Sequence, residues 1–416
     1  MGGSEKLRVA VTGGGLAGAA IANALFRQPH LDVHIYESAP EFSERGQAIG
    51  LAVNAQRALA RLLPDAEDVF QRAGAVPMHS TRILMGSGPA AGTKVIDLAE
   101  ENPGKILHRA ALLHELLAPM PPEIMHANKK LSAIEEHSNA LVLQFEDGST
   151  AETDALIGAD GLFGSVRSHV LGADHPAVKP VAAGWAGAHN LVSYDTASNK
   201  LGRELFEEDR QYGWIGEGGL FMHDVLNDRK IVQCVGSSVD RNPSSERRRS
   251  IDRQYLEHAF STWLDGPVAG NMIDLLLDQE KPAVFAQWEH SDAPSYVKEN
   301  ICIAGDAAHA MTPWQGSGAA MALEDAVVLG ALFAQIHSRS QIAGAFRAYD
   351  AIRRPRTQHI AASSRLTGRI MTGLVEEIGT DPEKLHAALK DRWDYIYDFD
   401  LGKHVDEAVS MLQAAQ

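Results

Sequence analysis

The sequence predicts an α/β protein: a parallel sheet wrapped by helices, joined to a second, mixed or antiparallel sheet and to a helical C-terminal part. Three observations predict it. A strand, a glycine turn, a helix and a second strand follow one another within residues 7–37. From about Val181 to Gln287, short apolar runs alternate with Gly and Asn/Asp turns. From Ala319 onward, helical periodicity dominates.

Each element has a local reason. Leu7-Arg8-Val9-Ala10-Val11 reads as a short buried strand, and a helix runs from about Leu16 to Phe26, stopped by Pro29. Val33-His34-Ile35-Tyr36-Glu37 is the next strand. Parallel strands joined through a helix imply a sheet covered on both faces. A further helix is expected from Asn54 to Leu63, ended by Pro64. Leu141–Phe145, the Asp147-Gly148 turn and Ala155–Gly158 read as a hairpin leading into a buried strand. A long helix is expected through Leu323 to Ile336.

Composition bounds the function. The 416 residues are 45% apolar and 22% charged, enough for a sizeable core in two or three units. The net charge of −16 argues against an extended phosphate contact with nucleic acid. The basic run Arg247-Arg248-Arg249 reads as a solvated loop or helix start. Cys234 and Cys302 lie in apolar, strand-like runs and are expected to be reduced core residues, so no disulfide or metal site is expected. The first residues lack the apolar region of a signal, and no run approaches the ~18 apolar residues of a membrane span. A soluble cytoplasmic protein without stable membrane insertion is expected.

Gly13, Gly15 and Gly18 carry the spacing of a Rossmann-like dinucleotide turn, with Leu16 and Ala17 between them. The first glycine allows the tight turn, the second lets the backbone approach a pyrophosphate, and the third lets helix and strand pack closely. The phosphates then lie on the helix N-terminus. Glu37, 19 residues after Gly18, stands where a carboxylate accepts hydrogen bonds from a ribose diol. This unit by itself does not separate FAD from NAD.

A second motif narrows the choice. Gly305-Asp306-Ala307-Ala308-His309 follows the strand-like run Ile301–Ala304, and Pro313-Trp314-Gln315-Gly316-Ser317-Gly318 comes next. With these residues the chain resembles the FAD-dependent aromatic hydroxylases, or group A flavoprotein monooxygenases, in their salicylate-hydroxylase-like branch. The resemblance implies the aromatic hydroxylase fold, with FAD as cofactor and NADH or NADPH as co-substrate. It implies that Asp306 contacts the ribityl chain, and that Pro313, Gly316, Gly318 and Ala319 cover the flavin ring. It extends to Asp160 in Gly158-Ala159-Asp160-Gly161, to Arg109 at a helix start, and to Gly50 and Arg45 around the loop that follows Glu37. Tyr349 and Arg353-Arg354-Pro355-Arg356 match a signature read as structural, and His309 is read as support for the flavin loop.

The middle region departs from the family pattern. Relatives often carry an Arg and a Tyr facing the substrate, and His189 and His223 take those places here. Both imidazoles are placed on the substrate side by this reading, where a pKa near 6.5 suits proton transfer; the competing reading is two satisfied sheet histidines or a slipped alignment. Trp314 and Pro313 are further candidates beside the flavin. Loss of the Arg favours a neutral phenolic ring over a carboxylate such as salicylate.

The expected domains are residues 1–75, 100–180 and 288–350 for FAD, 76–99 and 181–287 for the substrate, and 351–416 as a helical end. The implied function is hydroxylation of a small phenolic, salicylate-like aromatic with NAD(P)H and O2, through a flavin C4a-hydroperoxide, by a monomer or homodimer. A flavin oxidase or dehydrogenase of the same fold, and a hydroxylase or epoxidase of a non-phenolic substrate, remain alternatives at this point.

Overall fold

The computed structural model describes residues 6–43, 48–241 and 246–415. Among them the strands form three sheets. The first has six strands in the order Val297–Lys298, Ile301–Ile303, Ala155–Gly158, Leu7–Thr12, Leu31–Tyr36, Met125–His126. Its central strands are parallel: Val11 stands beside Ile157 on one side and Ile35 on the other. Ala155–Gly158 and Ile301–Ile303 are buried throughout, as expected of strands covered on both faces.

The second sheet has nine strands, from Arg248–Ser250 at one edge to Ala48–Leu51 at the other. Its pairs are antiparallel except where Gln211–Gly216 runs parallel to Val76–Met85, so the sheet is mixed. One face is sealed by the helices Arg253–Ala259 and Ala269–Leu277, in a core that holds Trp214, Phe221, Phe260, Trp263 and Met272. The third sheet is the small antiparallel unit Leu131–Glu136, Leu141–Phe145 and Thr150–Thr153, which contains the expected hairpin.

Long-range pairing moves the expected boundaries. Ala48–Leu51 and the whole of Lys94–His108 belong to the second sheet, so its membership extends into both 1–75 and 100–180. The helix Ile342–Met371 runs unbroken through residue 350. The basic run gives the short edge strand Arg248–Ser250, paired with Ala283–Glu289, instead of a loop or helix start. Arg249 there is neutralised by Asp240 at 2.6 Å. Cys234 and Cys302 are buried and unbridged. Among the described residues no helix is long and apolar enough to cross a membrane.

Candidate active site

The glycine turn has the geometry that its spacing predicts. Gly13 adopts φ +100°, and a Cβ there would come 2.1 Å from the Ala159 carbonyl oxygen. A Cβ on Gly18 would come 1.8 Å from the Gly13 oxygen, so this glycine sets the contact between helix and strand and lies behind the groove. The helix Leu16–Phe26 therefore starts directly at the mouth of the turn. Glu37 follows the second strand. Its carboxylate accepts the Gly14 N–H at 2.5 Å and the Ala39 N–H at 2.6 Å.

A groove of about 610 Å3 runs from this turn across the first sheet. Gly13, Gly15, Leu16, Ala17 and Glu37 line one end. Gly50, Arg109 and Asp160 line the middle, and Asp306, Pro313, Gly316, Gly318 and Ala319 line the far end. All the expected cofactor residues are thus brought to one groove except Gly18, behind it, and Arg45, which lies outside the described residues.

The groove fits a large polar ligand. A Cβ on Gly50 or Gly318 would meet nothing within 4 Å, so both positions leave open space beside it. Thr12 Oγ1 and Asp160 Oδ1 are buried at its wall without a hydrogen-bond partner. Asp160 Oδ2 accepts the N–H groups of Ser165 at 2.7 Å and Val166 at 3.1 Å. Burial raises the Asp160 pKa, against those two donors. A second helix, Gly318–Phe333, begins at the groove and adds backbone N–H donors and the positive end of a macrodipole.

Buried ionic contacts hold the far end in place. Gly305 adopts φ +57° and packs on Ala17, where an added Cβ would come within 2.6 Å of the alanine methyl. Its N–H donates to Asp325 Oδ2 at 3.0 Å. Arg353, fully buried, pairs with Glu324 at 2.7 Å and Asp325 at 2.8 Å, and Arg356 also reaches Glu324. The Tyr349 hydroxyl donates to the Ile303 carbonyl at 3.2 Å. Arg167 carries a role that sequence reasoning did not assign. It is buried and donates to the carbonyls of Ala307 at 3.0 Å and Ala308 at 2.7 Å, tying the Asp160 segment to the Asp306 turn. Burial lowers its pKa to about 10.

A second cavity, of about 450 Å3, adjoins the groove. Ala48, Gly50, Pro313, Gly316 and Ser317 line both spaces. The open face of the nine-stranded sheet forms one wall, with His189, Met222, Asp224 and Gln233. Trp314 lines it from the loop, held edge-on to Trp185 with ring centroids 5.4 Å apart. Met371, Trp393 and Tyr397 of the C-terminal helices also line it, so that region closes the cavity.

His223 does not face this cavity. The residues of Gly219–Leu226 alternate, and Leu220, Met222 and Asp224 reach the cavity while Phe221 and His223 point into the core behind the sheet. His223 is 0% exposed and stacked among Phe206, Tyr212 and Trp214. Its ring nitrogens lack a hydrogen bond of good geometry, and burial pushes its pKa down to about 4. Its neighbour Asp224 takes the cavity-facing position instead. His189 does reach the cavity, stacked on Phe285, with its pKa lowered by burial.

Comparison with known proteins identifies this arrangement. The family model described as an FAD binding domain matches residues 111–364, more than half of the chain. The 6-methylsalicylate 1-monooxygenase of Aspergillus terreus is 34% identical over 98% of this chain and 93% of its own length. The chain belongs to the FAD-dependent aromatic hydroxylase family. A salicylate hydroxylase of Pseudomonas putida is 29% identical over 97% of this chain and 94% of its own. A solved salicylate hydroxylase substrate complex superposes with a TM-score of 0.85 at 26% identity, covering 98% of this chain and 99% of that one. This aromatic hydroxylase is an FAD-dependent monooxygenase with the mixed α/β fold of that family.

Two features of the hydroxylase's cavity wall also escaped sequence reasoning. Asp224 is adjacent to His223, and only the strand register decides which of the two faces the cavity. Gln211 and Gln233 flank Asp224 on neighbouring strands and donate to it at 2.6 and 3.4 Å. Alternation within Gly219–Leu226 was the available signal, because Phe221 and His223 share the large aromatic face.

Proposed function

We propose that this monooxygenase hydroxylates a small phenolic ring of the salicylate-like type, held in the 450 Å3 cavity, with NADH or NADPH as reductant and O2 as oxidant. One observation carries the reading: Ala48, Gly50, Pro313, Gly316 and Ser317 line both the cofactor groove and the cavity, so a ring in the cavity abuts a group in the groove. The names of the relatives support a phenolic ring, the part that 6-methylsalicylate and salicylate share with the proposed substrate.

FAD bound in the groove would supply the redox chemistry, passing electrons from the nicotinamide to O2, from which the inserted oxygen atom comes. The chain does the rest. Gly13, Gly15 and the start of Leu16–Phe26 hold the pyrophosphate, and Glu37 holds the ribose. Asp306, Arg109 and Asp160 hold the remaining polar edges. The N-terminus of Gly318–Phe333 favours negative charge at the far end of the groove. Trp314, Trp393 and Met371 exclude water from the ring-binding space.

The test is nicotinamide oxidation by the purified holoprotein with a panel of phenols, hydroxybenzoates and hydroxylated bicyclic aromatics, with peroxide measured alongside. One aromatic class should accelerate oxidation with matching product and little peroxide. Substrate oxidation that proceeds without any nicotinamide would replace this reading with an oxidase.

A further inference from the structure

The cavity wall carries one carboxylate, and its neighbours are arranged around it. Thr81 donates to Gln211 Oε1 at 3.0 Å, and the Ala48 N–H donates to Gln233 Oε1 at 2.8 Å. Each glutamine therefore has its carbonyl committed, and its NH2 end is turned toward Asp224. The two bonds reach different oxygens of that carboxylate, Oδ1 and Oδ2. A carboxylate accepts about four hydrogen bonds, so acceptor capacity remains for a group in the cavity. Among the described residues that line the cavity there is no Lys or Arg, and Asp224 is the lone acid. His189 from Val181–Ser193 and Tyr397 from the C-terminal region are the other titratable groups there, and burial lowers the His189 pKa, which disfavours its cationic form.

We propose that Asp224 is the specificity-determining residue of the cavity: its carboxylate accepts a hydrogen bond from a ring hydroxyl and selects neutral hydroxyarenes over rings that carry an ionised carboxylate. This rests on the hydroxylation reading above and narrows it. A hydroxyl donor completes the coordination that the two glutamines leave open. A second carboxylate would meet a like charge in a space with no described cation to offset it, where low dielectric strengthens the repulsion. The raised pKa of Asp224, pushed up by burial to about 6, agrees with a carboxylate that lacks a cationic partner.

The test compares matched ligands on the holoenzyme at pH 8, where the acid is ionised. Phenol is set against salicylate, and 3-methylphenol against 6-methylsalicylate. Dissociation constants are read from the change in flavin absorbance, and FAD content and thermal stability are recorded for every variant. In the wild type, each phenol should bind at least tenfold more tightly than its carboxylated partner. In Asp224→Asn, phenol affinity should fall about tenfold and the discrimination should collapse, with FAD content unchanged. Salicylates that bind as tightly as phenols, or an Asp224→Asn variant with the wild-type preference, overturn the assignment while leaving hydroxylation intact. The wild-type comparison stands even if the variant fails to fold. If neither ligand series perturbs the flavin or accelerates nicotinamide oxidation, the hydroxylation reading falls and this assignment falls with it.

Discussion

His309 Nε2 lies 2.7 Å from Asp325 Oδ2, the same oxygen that receives the Gly305 N–H. One buried carboxylate therefore ties the Gly305-Asp306 turn, the helix Gly318–Phe333 and, through its other oxygen, Arg353 of Ile342–Met371. His309 is thus placed as a strut under the flavin groove, away from the substrate cavity.

This tie predicts the outcome of Asp325→Asn. Removing the charge leaves Arg353 half-compensated in the interior, a change that costs about 3–5 kcal/mol. Thermal unfolding should show that loss, and the purified variant should lose most of its FAD because the Asp306 turn is released. The partners of Asp325 hold its pKa down at about 2 despite full burial. With the folded value below the unfolded one, its stabilising contribution is complete above pH ~4 and disappears as pH falls toward 2.

His223→Phe should behave unlike a substitution at a catalytic base. Coupling of nicotinamide oxidation to product, and FAD content, should match the wild type. The change should appear in acid stability. The folded imidazole resists protonation down to about pH 4, whereas the unfolded one takes a proton near 6.5. Wild-type stability therefore declines as pH falls from ~6.5 to ~4, and denaturant unfolding of the phenylalanine variant should lack that part of the decline. A rise in peroxide release would return His223 to the site.

Asp224 should cost stability where it serves binding. Its folded pKa of about 6 exceeds the unfolded value, so the folded state holds its proton more tightly. Its unfavourable contribution appears as pH rises from ~4 and is complete above ~6. Asp224→Asn should therefore be more stable than the wild type at pH 8, by up to about 3 kcal/mol relative to the difference at pH 4. Urea unfolding at the two pH values measures it.

Gly50→Val tests the groove without touching the core. A side chain there enters open space, so the apoprotein should unfold within about 0.5 kcal/mol of the wild type. FAD affinity, by fluorescence titration of the apoprotein, should fall at least tenfold.

The parts legible in the sequence were those fixed by neighbours in the chain. The Gly13 turn and the Asp306 loop each require a strand, particular small residues and a helix within some twenty positions, and both lie where that pattern puts them. The substrate side was not legible, because it depends on register and on distant segments. A shift of one residue along Gly219–Leu226 exchanges His223 for Asp224, and the local mark is limited to the alternation that groups His223 with Phe221. Ala48–Leu51 joins the second sheet through pairing with Lys105–His108, and Trp393 reaches the cavity from the far end of the chain. Neither contact leaves a periodicity to read.

The most direct measurement is turnover of an accepted phenol by the holoprotein with NAD(P)H under 18O2, with the product analysed by mass spectrometry. Hydroxylation places one 18O atom in the product for each nicotinamide oxidised. Unlabelled product, or substrate oxidation accompanied by stoichiometric peroxide and no incorporated oxygen, would contradict it.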